Sequence, residues 1–183
     1  FYAVALSSVM RSTGQELSRE NFALPILIAH FLADALVARS NQGLAKNVLR
    51  MISAALLGLA LSSWDLIQYP IMLRMGWLAW RTIRSQTSLR DPMFVTWMWQ
   101  LGALACVGLV HPYFRSHGWV LSPAMLMGYA TLVLAWLRDR APPRWAVAGQ
   151  GTLRSLGTWM ACFAIGSLFG HVTAYGGSYG HFG

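Results

Sequence analysis

Residues 51–69, MISAALLGLALSSWDLIQY, run into Pro70 and then into residues 71–84, IMLRMGWLAWRTIR. How these two pieces are read sets the side of every later loop. A single straight helix from Val48 to Arg84 would be ~55 Å long at ~1.5 Å per residue. The hydrocarbon core of a bilayer is only ~30 Å thick. The first piece is apolar and of bilayer length, whereas the second carries Arg74, Arg81 and Arg84. At ~100° per residue, Arg81 falls about 20° from Arg74 and Arg84 about 80°. The arginines therefore share one side, with Met72, Met75, Leu78, Ala79 and Ile83 over much of the rest. This pattern predicts an amphipathic helix lying in the membrane interface over about 71–84. A second crossing would bury Arg74 at a cost of ~2.5 kcal/mol or more.

The whole chain agrees with a membrane reading. Its 183 residues are 56% hydrophobic and only 11% charged, against ~25% charged in soluble domains. Mean hydropathy is +0.46. The expected fold is all-α: a polytopic integral membrane protein forming one membrane domain over 1–183. Five transmembrane helices are expected, at about 22–38, 51–69, 93–110, 119–137 and 153–172, plus the interfacial helix after the second. Residues 1–21 read as an N-terminal arm or interfacial segment, and 173–183 as a Gly- and aromatic-rich C-terminal tail. Residues 39–50 read as a polar loop. A start at Phe1 fits removal of a presequence.

Net charge is +8, and all 14 basic residues except Lys46 are Arg. Arginine at the ends of membrane helices meets lipid phosphates, so nucleic acid is not an expected partner. On five spans the N-terminal side holds Arg11, Arg19, Arg74, Arg81, Arg84, Arg90, Arg138, Arg140, Arg144 and Arg154. Arg39, Lys46, Arg50 and Arg115 lie opposite. The positive-inside rule then places the N-terminus on the matrix, cytoplasmic or stromal side and the C-terminus across the membrane. A six-span reading moves Arg81, Arg84 and Arg90 and reverses the later loops, and is disfavoured on this count.

Candidate chemistry is sparse. His30 and Asp34 lie four residues apart on one helical face near mid-membrane. Intramembrane ionisable groups are costly and often functional. Such a pair can share a proton, meet a quinone oxygen, or use His as a ligand with Asp orienting it. Haem b, quinone or chlorophyll are the cofactors this pair would imply; otherwise none is expected. Asp65, Gln68 and Gln100 could extend a polar path from Asp34. His111, His117, His171 and His181 sit at or beyond helix ends, with no metal-ligand spacing, and no metal is expected. Cys106 and Cys162 read as small core residues. No GxGxxG, P-loop, HExxH, CxxC or GxSxG occurs.

Two structural signals remain. Ala54, Gly58 and Ser62 on one helix, and Gly157 with Ala161 and Gly166 with Gly170 on another, form small-residue stripes for helix packing. Arg74, Arg81, Arg84 and Arg90 with Trp77 and Trp80 form a basic aromatic patch suited to anionic phospholipid such as cardiolipin. The expected role is a non-catalytic accessory subunit of a large energy-converting membrane complex. A respiratory-chain or ATP-synthase assembly of the mitochondrial inner membrane is favoured, with thylakoid and bacterial membranes as alternatives. Its partners would be other membrane subunits. A redox anchor using His30 and Asp34, or a small proton or solute transporter, are the competing expectations.

Overall fold

A computed structural model describes residues 19–41, 43–85, 89–140 and 151–174. Their regular structure is entirely helical. The order is α1 (Arg19–Arg39), α2 (Leu44–Ser63), α3 (Gln68–Ser85), α4 (Pro92–Val110), the short α5 (Pro112–Ser116), α6 (Pro123–Arg140) and α7 (Gly151–Ala174). Single 3₁₀ turns at Asp65–Ile67 and Trp119–Leu121 precede α3 and α6. The expected N-terminal arm and the C-terminal tail fall almost wholly outside the described residues, as does His181.

Local sequence explains several of the helix ends. Asp91 caps α4, its side chain accepting the Met93 N–H at 2.8 Å, with Pro92 just inside; proline is preorganised for that position. The chain breaks after α2 at Trp64, which is extended (φ −155°, ψ 122°). The break was expected six residues later. Pro70 instead occupies the first turn of α3, where backbone N–H groups have no helical partner to lose. Lys46 and Arg50, expected in a loop, sit inside α2. The true connection is residues 40–43, turning through Gly43 at φ +141°, a conformation that glycine adopts without strain.

Side-chain contacts fix the direction of each helix. His30 and Asp34 of α1 meet Ser53 of α2, so these two form an antiparallel hairpin. Arg50 reaches Thr96 and the Pro92 carbonyl, and Gly58 faces Ala103 and Val107. Helices α2 and α4 therefore run the same way. Helix α3 runs against both: Met75 receives the Trp97 indole N–H, and Arg81 reaches Met93 and Asp91. Helix α6 returns beside α4, with Trp119 against Gly108 and Gly128 against Leu101 and Trp97. Helix α7 reverses once more: Trp159 donates to Thr131, Gly166 meets Leu126 and Gly170 meets Leu121. The described residues thus form an up-and-down bundle of six long helices.

This geometry corrects the reading of residues 71–84. The helix exists, but it is a full leg of the bundle. Ile71, Met75, Leu78, Ala79 and Ile83 are buried, and Arg138 of α6 binds the Thr82 and Ile83 carbonyls at its C-terminal end. By length and composition three helices can cross a membrane: Asn21–Arg39, Leu44–Ser63 and Pro92–Val110. Helix α3 carries three arginines, α6 ends in Arg-Asp-Arg, and α7 is interrupted by Gly, Ser and Thr.

The apolar core runs through the centre of the bundle around Leu61, Phe94, Leu104 and Met125. Close approach depends on two glycines there. A Cβ on Gly108 would lie 2.7 Å from Trp119 Cδ1, and one on Gly128 would lie 2.8 Å from Leu101 Cδ1.

Candidate functional site

Four helices converge on one polar cluster inside this core. Helix α1 supplies His30 and Asp34, α2 supplies Ser53, α3 supplies Arg74 and α4 supplies Gln100. His30, Ser53 and Gln100 are buried. The Asp34 and Arg74 side chains keep 18% and 29% of their exposure, so the cluster opens at one edge.

Hydrogen bonding assigns the protons. A guanidinium only donates, so Arg74 donates to His30 Nε2 at 2.8 Å. His30 is then neutral with its proton on Nδ1, which donates to the Ser53 carbonyl at 2.9 Å. Asp34 is the common acceptor. Its Oδ1 receives the Ser53 hydroxyl at 2.5 Å and the Gln100 amide at 2.7 Å. Its Oδ2 pairs with Arg74. Gln100 Nε2 also donates to Ser53 Oγ at 2.9 Å.

Of the residues expected to carry chemistry, His30, Asp34 and Gln100 are brought together. The Asp65 side chain is outside the described residues. His111 and His117 lie at the far end of α4 and in the following turn, and His171 lies on the last turn of α7. No group of three or more His, Cys, Asp or Glu among the described residues is placed to hold a metal ion. Both His30 ring nitrogens are engaged, so a metal could reach this imidazole only by displacing Arg74 or the Ser53 carbonyl.

Arg74 is the main correction. Expected on the lipid-facing patch, it lies inside the bundle. Arg81 shares its stripe and meets another carboxylate, Asp91, at 3.7 Å. The stripe of arginines therefore faces α1 and α4, where acidic partners wait. Arg81 lies over Trp77 and Arg84 over Trp80, at 5.8 and 5.1 Å from the ring centres, within cation–π range. Arg90 lies in the turn before α4. The structure adds Arg140 over Trp136 at 4.4 Å, at the same end of the bundle.

The small-residue stripes divide. Ala54 is buried and Gly58 touches Val107; Ser62 bonds back to the Gly58 carbonyl. Gly166 and Gly170 pack on Leu126 and Leu121. Gly157 meets nothing within 4 Å, and Ala161 is exposed, so that pair packs on none of the described residues. Cys106, expected in the core, is also exposed. It lines an apolar groove of about 530 Å³ between α2 and α4 with Met51, Met98, Trp99 and Gly102.

The sequence signal for Ser53 and Arg50 was weak. Arg50 is buried without a carboxylate and ties α2 to α4 through Asn47, Thr96 and the Pro92 carbonyl. It shares the polar first turns of the helix with Lys46 and Asn47, which read as a loop in the sequence. Compared with known protein families, curated proteins and solved structures, the chain matches none.

Proposed function

We propose that this chain is an integral membrane protein whose six long helices all cross the bilayer, and that it serves as a non-catalytic packing subunit of a larger membrane assembly. The observation that carries the subunit reading is the exposed apolar face of α7. Leu153, Met160, Ile165 and Leu168 are exposed there, beside Gly157 and Ala161, which pack on none of the described residues. Small residues let a second helix approach closely, and a large apolar face calls for lipid or protein cover.

Six crossings replace the expected five and reverse the expected orientation. On six crossings one end of the bundle collects Arg39, Lys46, Arg50, Arg81, Arg84, Arg90, Arg138, Arg140, Arg144 and Arg154. Arg11, Arg19 and Arg115 lie at the other end, and Arg74 lies between. Ten against three is a strong bias, and the basic end faces the cytoplasm, matrix or stroma. The first turn of α1 and the last turn of α7 then face the opposite compartment. Arg81, Arg84 and Arg140 with their tryptophans form the anionic-lipid rim of the basic end. The narrower placement in a respiratory or ATP-synthase complex rests on the sequence reading alone.

The polar cluster also favours packing over turnover. The cavity beside it is about 20 Å³, whereas small-molecule sites are typically ~300–1,000 Å³. The test is native mass after extraction in mild detergent. Migration with an assembly of hundreds of kilodaltons is expected; migration alone or as a small homo-oligomer would sink the subunit reading.

A second reading, a proton or solute conductor, draws on the partly exposed Asp34–Arg74 pair joined to His30 inside an apolar bundle. Flux into liposomes that is unchanged by Asp34→Asn would remove it.

A further inference from the structure

A groove of about 530 Å³ runs between α2 and α4 on the outside of the bundle. Small residues open it: Ala54 and Ala55 of α2, and Gly102 and Ala103 of α4. It is bounded at both ends. At one end Arg50 bridges the two helices, reaching Thr96 and the Pro92 carbonyl. At the other, Val107 packs on Gly58, its Cγ2 only 3.2 Å from where a Cβ would stand. From Val95 to Cys106 the groove follows α4 for ~16 Å at ~1.5 Å per residue, about half the ~30 Å hydrocarbon core. A partner helix that crosses the membrane runs the full core and fits a groove open at both ends. A bounded hollow of this length takes a flexible chain instead.

The end near Met51 carries positive charge without a counter-ion. Arg50 is buried, and its hydrogen bonds go to neutral acceptors: the Asn47 amide oxygen, Thr96 Oγ1 and the Pro92 carbonyl. Lys46, one turn earlier, is also buried and donates to the Ser40 carbonyl. Neither pairs with a carboxylate among the described residues, and α2 contains no acidic residue. Its first turn, the positive end of the helix dipole, has no side-chain cap. A buried cation without a partner is costly, so an anion brought here from outside the chain is stabilising. Asn47 is exposed and lies one turn before Met51 and two before Ala54 on the same stripe of α2. It therefore stands where the groove meets the basic end. Arg50 holds its Oδ1 at 2.9 Å, which leaves Nδ2 to donate elsewhere.

We propose that the groove binds one acyl chain of an anionic phospholipid from the leaflet at the basic end, with its phosphate accepting from Asn47 beside Arg50. The chain covers the small residues between α2 and α4, and the phosphate supplies the charge that balances Lys46 and Arg50. The site is separate from the arginine–tryptophan pairs of α3 and α6. Those present exposed side chains to headgroups, whereas here an apolar hollow and a headgroup donor follow one another on a single stripe. The inference rests on α2 and α4 crossing the bilayer and not on the subunit reading.

The experiment is a map of the full chain in nanodiscs of phosphatidylglycerol and phosphatidylcholine, with bromine on the acyl chains of one lipid at a time. The expected result is bromine density in the groove, about fivefold stronger when phosphatidylglycerol carries the label, because one basic side chain near the surface favours anionic lipid by about that factor. Gly102→Leu adds a side chain where a Cβ meets nothing within 4 Å. The fold should hold while the groove fills and its bromine density falls to that of the surrounding lipid. Asn47→Leu should keep the chain density and lose most of the preference for phosphatidylglycerol. Equal density from the two lipids overturns the proposal, as does a protein helix lying in the groove or a density that Gly102→Leu leaves unchanged. A chain that does not enter the nanodisc overturns the membrane reading and this inference with it. A chain in the bilayer with an empty groove overturns this inference alone.

Discussion

Arg74 and Arg81 lie on the same stripe of α3, two turns apart, and meet different surroundings. Arg74 enters the bundle and is held by Asp34 and His30 of α1. Arg81 faces Asp91 at the start of α4 but keeps 38% of its side-chain exposure and lies over Trp77. Residue type and helical face are identical, and both side chains are part-exposed, 29% at Arg74 against 38% at Arg81; what differs is the partner set and its closeness. What an arginine does on a helix is decided by what the neighbouring helix offers at that height: Asp34 comes from forty positions earlier, Asp91 from ten positions later.

The difference can be broken most sharply at the deeper pair. Arg74→Leu strands the Asp34 carboxylate among Ser53 and Gln100. Losing one partner of a buried pair costs ~3–5 kcal/mol, and the residual exposure places this one near ~3 kcal/mol. Denaturant unfolding of the purified chain in mixed micelles reads the loss. Adding Asp34→Leu should recover part of it, because no charge is then left unpaired; a double variant less stable than Arg74→Leu would contradict the pairing.

Next in size is the contact that keeps α3, α4 and α6 together. Gly128→Val drives methyl groups into Leu101, Trp97 and Met75, and overpacking costs ~1–3 kcal/mol. The same unfolding assay applies, and an unchanged midpoint would mean that α6 does not sit against α4 as described. The shallow pair comes third. Arg81→Gln should cost below ~1 kcal/mol and shrink further in high salt. An effect as large as that of Arg74→Leu would erase the distinction between the two depths.

The smallest expected effect on the isolated chain is at Gly157. Gly157→Leu meets no neighbour within 4 Å, so the unfolding midpoint of the purified chain should stay within about 0.5 kcal/mol-equivalent of the wild type, as exposed substitutions do. Its effect should emerge in the native mass, where the blocked face loses a partner. An unchanged native mass would mean that lipid, and not protein, covers this side of α7.

Much of the helical layout was legible in the residues. Spans expected at 22–38, 93–110 and 153–172 match α1, α4 and α7 closely, because long apolar runs and the Asp91-Pro92 start are local signals. A helix stands at the expected fourth position too, although the chain makes a 3₁₀ turn at Trp119–Leu121 before α6 begins at Pro123. The failure was at α3. An arginine in an apolar stretch reads as a membrane-surface residue until its counter-ion is known, and Asp34 lies forty positions earlier. Helical periodicity carries no information over that separation. His30 with Asp34 was visible as an i,i+4 pair, but Ser53 and Arg74 joined it only through tertiary packing. Tyr69-Pro70 attracted the helix break because proline is the louder signal, yet Trp64 makes the turn.

The even number of legs has a consequence for engineering. The first turn of α1 and the last turn of α7 lie at one end of the bundle, on the side away from the Arg138–Thr82 contact. On the proposed six crossings, two copies could be joined between these two turns by a soluble linker alone. A five-legged chain would need an extra membrane-crossing segment in the join.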